Sequence, residues 1–306
     1  MRRQLCDALV ARSVNPNMVF LTGDLGFMAL ENLEQAMKAR FINAGVAEQN
    51  MVSVAAAMAR DGWDAWVYSI APFCYARPFE QIRNDVAFHN LPVKLIGNGG
   101  GYGYGVMGPT HHAIEDYGVM LTLPNMRVFI PAFDEDVEVV IARAGDGQNP
   151  AYLRLGQGMK PAGFEVPSYA PWRQLIAGGG MVVIVSGPLV GAYIEAFQNL
   201  PVTIRPNLWI VTELPLEKNP LPSELIEQIS NSAGLCVVEE HVRHGGLGSE
   251  IALILLKQQL RVNTFHHLYA RAHHYATYGS QKFLRAQSHL DINSVMSVVA
   301  PNFSDK

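Results

Sequence analysis

The feature that most restricts the fold is a recurring pattern of short, predominantly apolar runs, each followed by a longer stretch with helical character. Met18-Val-Phe-Leu21, Asp64-Ala-Trp-Val-Tyr-Ser69, Pro92-Val-Lys-Leu-Ile-Gly97, Arg127-Val-Phe-Ile130 and Ala151-Tyr-Leu-Arg-Leu155 are too short for helices and too continuously apolar for one-sided strands. They read as strands buried on both faces, which is the signature of a largely parallel sheet covered by helices. Helices are expected over residues 1–14, from about Glu80 to His89, and from Asp134 to about Ala144.

The same alternation resumes later. Strands are expected at 181–185, 208–212, 235–239 and 262–265, and helices at 189–198, 223–230, 249–258, 280–285 and 292–299. The stretch from Gly156 to about Ala177 is rich in Gly and Pro and keeps no period, so it reads as a connection between two units. The expected fold is α/β, with two three-layer domains at 1–160 and 178–306 joined by a linker over 161–177. At 306 residues the chain has enough length for two cores.

Bulk chemistry excludes several functions. A formal net charge of −4 gives no reason to expect nucleic-acid binding. Cys6, Cys74 and Cys236 are far apart and lack metal-ligand spacing, which favours a reduced, cytoplasmic setting. No run reaches membrane-spanning length, and the N-terminus does not read as a signal peptide.

The most informative polar residue is Glu48, in the segment Arg40-Phe-Ile-Asn-Ala-Gly-Val-Ala-Glu-Gln-Asn50 that leads into the apolar run Met51–Ala59. It falls in the first turn of a helix in a window almost without charge. Burial there disfavours a carboxylate, whereas a helix N-terminus favours it. A second cluster, Gly108-Pro-Thr-His-His-Ala-Ile-Glu-Asp116, sets two histidines beside a Gly-Pro turn. No third metal ligand follows at a recognisable spacing, so a zinc site is not expected. Asp24 lies in Thr22-Gly-Asp-Leu-Gly26 at the end of a strand, where open α/β sheets place ligands.

Asn43-Ala-Gly-Val-Ala-Glu-Gln-Asn50 resembles the segment carrying the catalytic glutamate of the transketolase family of thiamine-diphosphate enzymes, and Gly108–His112 is similar to that family's Gly-x-Thr-His loop. The resemblance spans almost the whole chain. It implies a thiamine-diphosphate pyrimidine-binding domain followed by a transketolase C-terminal domain. Glu48 would hydrogen-bond the cofactor's aminopyrimidine and promote its imino tautomer. Phe73 would stack on that ring, with Cys74 one residue away as the other match and Tyr75 or Tyr68 lining it; Asp24 would also lie on the cofactor side. His111 would assist proton movement at the substrate oxygens, with His112 beside it, and Arg154 and Arg3 would hold the sugar-phosphate end.

Two departures bear on the substrate. Gly99 and Met107 stand where sugar-handling members carry a His and an Asp, which implies a wider, less polar substrate mouth and a non-standard acceptor. The family's metal-binding Gly-Asp-Gly domain is missing. The chain is therefore expected to be one subunit of a split enzyme, inactive alone. An N-terminal subunit would bring the diphosphate site with Mg2+ (or Ca2+), in an α2β2 heterotetramer acting on a small sugar phosphate. The competing expectations are the β subunit of a 2-oxoacid decarboxylating dehydrogenase, a synthase condensing pyruvate with an aldehyde, and a non-catalytic structural subunit. His241, His244 and the pairs His266-His267 and His273-His274 read as surface or interface residues.

Overall fold

The computed structural model describes residues 1–274 and 276–301. Among these residues twelve strands form two sheets: β1 Met18–Thr22, β2 Phe41–Asn43, β3 Asp64–Ile70, β4 Lys94–Asn98, β5 Arg127–Phe129, β6 Ala151–Leu155, β7 Trp172–Ile176, β8 Val182–Ser186, β9 Asn207–Val211, β10 Glu213–Leu214, β11 Leu235–Glu239 and β12 Phe265–Tyr269. The first sheet has seven strands in the order β10-β5-β6-β4-β3-β1-β2, and the second has five in the order β12-β11-β8-β9-β7. All neighbours are parallel except β10 on β5 and β7 on β9.

The apolar runs are continuous because each strand feeds two cores. In β1, Val19 and Leu21 join one hydrophobic cluster, while Met18 and Phe20 join another on the opposite face. The same alternation divides Ala65 and Val67 from Trp66 and Tyr68 in β3. A third cluster covers the far face of the second sheet, through Val183, Val185, Leu208 and Ile210. The first cluster extends across both sheets, taking in Trp172, Val182, Ile184, Trp209 and Val211 as well as Tyr117 and Leu214. One continuous apolar layer therefore joins the two units.

Strand order positions the site. From β1 the chain passes to β2 on one side and then crosses to β3 on the other. Such a reversal opens a crevice at the carboxyl ends of the strands involved. The segments following β1, β2, β3 and β4 carry Asp24, Glu48, Phe73 and Gly99 respectively, with Glu48 the first residue of a helix and Phe73 within a short one.

Several local expectations are corrected. The stretch 161–177 is not a structureless linker, because β7 pairs antiparallel with β9 from Trp172 to Ile176. Its Arg173 and Gln174 break the apolar run that would have announced a strand. The helix expected over Glu80–His89 is a short α turn, Phe79–Gln81, continued by a wider-turn segment, Ile82–Ala87. The 189–198 helix is divided into a tight turn at Gly187–Ala192 and an α segment at Ile194–Gln198. The strand expected at 262–265 lies at Phe265–Tyr269, where β12 is a half-exposed edge and carries polar residues. The edge strand β2, the short β10 and the helix Glu31–Met37 gave no readable apolar run. Among the described residues no helix is long and apolar enough to cross a membrane.

Candidate active site

Glu48 opens the helix Glu48–Arg60 and is only 2% exposed. Helix N-terminal amides favour an anion at this position. Its partner is Arg77, whose Nη1 donates to both carboxylate oxygens at 2.8 Å. The Arg77 guanidinium also lies over the Phe73 ring, 4.2 Å from its centroid. Phe73 in turn meets the His111 ring edge-on, at 5.2 Å between centroids. Glu48, Arg77, Phe73 and His111 thus form one connected group. Arg77 is the member that sequence reasoning missed, since nothing in a stretch of aromatics marks it as the counter-ion of a residue on another helix.

His111 shares a 2.9 Å hydrogen bond between its Nδ1 and Thr110 Oγ1, which leaves Nε2 for other partners. Asp24 pairs with Asn43 on the rim: Asn43 Nδ2 donates to Asp24 Oδ1 at 3.0 Å, and the Asp24 amide donates to Asn43 Oδ1 at 3.1 Å. Gly23, beside Asp24, lies next to the Glu48 side chain.

The other residues named for the cofactor ring face elsewhere. Cys74 is fully buried in the core, where burial pushes its thiol up. Tyr68 packs against Phe20 on the opposite face of the sheet. Tyr75 is buried, and its hydroxyl donates to Glu115 at 3.3 Å.

Three residues expected at the substrate have these surroundings in the structure. Arg154 is 5% exposed, and its guanidinium is committed to the joint between the two units. Its Nε lies 3.3 Å from Asp116, and Nη2 donates to the Glu240 carbonyl at 2.7 Å. Arg3 is exposed and faces Asp7, one helical turn away at 3.9 Å. His112 is buried beneath the loop, with its Nε2–H donating to the Gly105 carbonyl at 2.9 Å and its ring edge-on to Tyr102. Met107 is 54% exposed.

His241 is not a surface residue. It is fully buried and stacks on Tyr117 at 3.9 Å, with the Gly118 amide donating to its Nε2; His244 alone of that pair is exposed. His267 and His273 are bound to carboxylates, Glu239 at 2.6 Å and Glu115 at 2.7 Å.

The joint holds two buried carboxylates at the end of β11. Glu239 accepts from the Leu247 and Gly248 amides at 2.7 and 2.9 Å, from His267 and from the Tyr117 hydroxyl. Glu240 accepts from the Tyr102 amide at 2.9 Å and from Arg285 at 2.7 Å. Burial alone pushes both carboxyls up, but for Glu239 the histidines and for Glu240 the arginines outweigh it and hold both below the ordinary range. A depressed carboxyl stabilises the fold above its unfolded value and loses that contribution as pH falls through the folded value. The urea midpoint is therefore expected to hold from neutrality to about pH 5 and to fall steeply below about 4.3. Glu239→Gln should flatten that acid limb; an unchanged limb in this variant would assign acid lability elsewhere.

Comparison with known proteins identifies the family. Residues 7–161 match the family model described as transketolase, pyrimidine binding domain. The chain is 28% identical over 269 residues to one subunit of the apulose-4-phosphate transketolase of Phocaeicola vulgatus, covering 85% of each protein. It is 33% identical over 266 residues to 1-deoxy-D-xylulose-5-phosphate synthase 2 of Geobacter sulfurreducens, covering 84% of this chain and 41% of that one. A solved structure described as a split gene transketolase, inactive beta4 tetramer, superposes with a TM-score of 0.81 at 27% identity, covering 98% of this chain and 96% of the other. With its first sheet forming the pyrimidine-binding domain and its second a C-terminal α/β domain, the chain belongs to the transketolase family.

Proposed function

We propose that this chain is one subunit of a two-component transferase that moves a two-carbon ketol unit between phosphorylated sugars with thiamine diphosphate. The observation that carries the reading is the nearly inaccessible Glu48 carboxylate at the crevice of the first sheet, set beside the half-buried face of Phe73. The donor set fits the pyrimidine end of that cofactor. Arg77 already sets a flat, nitrogen-rich donor against both the Glu48 oxygens and the Phe73 ring, the two contacts an aminopyrimidine needs.

When bound, the cofactor supplies a carbon nucleophile and electron sink for cutting a bond next to a carbonyl. Glu48 holds and moves the proton at the ring nitrogen, from a site where water does not compete. Phe73 fixes the plane of the ring, a contact worth about 0.5–1.5 kcal/mol beyond its buried area. His111 offers Nε2 at the substrate end, where it would give or take a proton at a substrate oxygen. The metal and the diphosphate belong, in this proposal, to the partner subunit. That division is supported by the Phocaeicola relative, which is itself named as a single subunit of a transketolase, and by the split-gene description of the similar structure.

The test is reconstitution. This chain is expected to show no ketol transfer alone, and at least about 10²-fold more when mixed with an N-terminal transketolase-type subunit, thiamine diphosphate and Mg2+. Turnover by the isolated chain would overturn the proposal, as would a mixed complex in which calorimetry detects no thiamine diphosphate binding. A synthase that decarboxylates a 2-oxoacid and condenses it with an aldehyde is the second reading, favoured by the match to the Geobacter protein. Release of CO2 from pyruvate in the same mixture would select it.

A further inference from the structure

Gly99 and Met107 implied an open, apolar mouth, yet the space above Gly99 is filled. Gly99 adopts φ +75°, and any side chain there would overlap the ring of Tyr104. The loop that brings Tyr104 back is built from its glycines. Gly103 packs so closely on the Gly99 backbone that a methyl group would not fit, and Gly105 packs against the backbone of Gly279–Gln281. The two tyrosines of Tyr102-Gly-Tyr104 then divide their work. Tyr102 is fully buried, and its hydroxyl donates to the Ala272 carbonyl at 2.8 Å, pinning the loop to the C-terminal domain. Tyr104 is turned the other way, 6.0 Å from the His111 ring.

Hydrogen-bond arithmetic assigns the Tyr104 hydroxyl a direction. Asn98 Nδ2 donates to its oxygen at 2.8 Å. A phenol has one proton and two acceptor positions, so this bond leaves the proton to give. Among the described residues no acceptor takes it. Burial pushes the hydroxyl up, against the opposing effects of Asn98 and the Arg2 cation, so it remains a phenol, and hence a donor, at neutral pH. The Arg2 cation also acts on the Tyr68 hydroxyl.

We infer that Tyr104 is a specificity-determining residue that donates a hydrogen bond to an oxygen of the phosphorylated sugar bound beside His111, replacing the polar side chain absent at position 99. This rests on the ketol-transfer reading above. The wall has a donor at Tyr104 and, at the rim, the exposed apolar side chains of Val106 and Met107. It therefore reads one substrate oxygen as an acceptor and offers no carboxylate to a hydroxyl proton near Met107. The substrate class is an aldose phosphate that has an oxygen facing Tyr104 and no need of a second polar contact at the rim.

The experiment uses the reconstituted complex with hydroxypyruvate as donor and two pairs of acceptors: D-ribose 5-phosphate with 2-deoxy-D-ribose 5-phosphate, and D-glyceraldehyde 3-phosphate with 3-phosphopropanal. Tyr104→Phe removes only the hydroxyl and keeps the ring over Gly99. In at least one pair it is expected to raise KM for the hydroxylated acceptor about tenfold, in the range of a lost neutral hydrogen bond. KM for the deoxy partner should change less than about twofold, and kcat and thiamine diphosphate affinity should hold. A role in shaping the loop would penalise both members of each pair alike and would overturn the inference, as would KM values unchanged throughout. A wild-type complex that transfers to none of the four acceptors would instead overturn the ketol-transfer reading, and this inference with it.

Discussion

Glu48→Gln is expected to abolish turnover of the reconstituted enzyme while the complex stays folded. The carboxylate makes two bonds to Arg77 Nη1, and glutamine keeps one carbonyl oxygen in nearly the same place. Arg77 is 42% exposed, so the cation that loses its counter-ion is rehydrated rather than stranded. The cost in stability should stay near that of one partly exposed ion pair, about 1 kcal/mol or less. What glutamine cannot do is gain or lose a proton. A positioned acid-base group contributes about 10²–10⁴ in rate, so kcat should fall by that factor with thiamine diphosphate still bound. Activity above roughly one-tenth of wild type would remove Glu48 from the proton path, because a group doing that work cannot be replaced by an amide at so small a loss.

Glu48 was legible because its signal is local: one acid at the start of an apolar helix, inside a segment with a family resemblance. Its surroundings were not. Arg77 is 29 positions away, and only the return of the chain after β3 brings it to the carboxylate. Arg154 shows the converse error. A strand end followed by glycine does mark the carboxyl edge of the sheet, but it does not say where the side chain turns, and here the guanidinium is held by Asp116 and the Glu240 carbonyl. Gly99 is a third case. Sequence shows that a polar side chain is absent, and a hole is the natural reading until the loop returns Tyr104 over the gap. The strands divide in the same way. β1, β3, β6, β8 and β11 are buried along their whole length or nearly so and read as apolar runs, whereas β2, β7 and β12 carry polar or partly exposed residues that carry no such signal.

The second large effect is expected at a residue inside the supposed linker. Arg173 Nη1 and Nη2 donate to the two Asp136 oxygens at 2.8 and 2.7 Å, and both side chains are almost fully buried, at 3% and 2% exposure. Asp136 also accepts the Ala132 and Phe133 amides at 2.9 and 3.0 Å and opens the helix Asp136–Gly145. Arg173 is on β7 of the second sheet, so this bidentate pair ties that sheet to the first domain. Arg173→Ala leaves a buried carboxylate with amide partners but no cation, a change that typically costs about 3–5 kcal/mol. For a chain of this size that is roughly 6–20 °C in Tm, readable in a thermal or urea melt followed by tryptophan fluorescence. Asp136→Asn in the same background removes the uncompensated charge and should recover part of the loss. A drop below about 1 kcal/mol for Arg173→Ala would mean that water or another cation reaches Asp136, and that the apolar layer under Trp172 holds the joint without the pair. The variant should leave kcat per folded complex unchanged, because Arg173 belongs to the joint and makes no contact with Glu48, Phe73 or His111. Glu48→Gln takes activity and spares the melt, and Arg173→Ala does the reverse. A single variant that did both would show that the crevice and the joint are one mechanical unit.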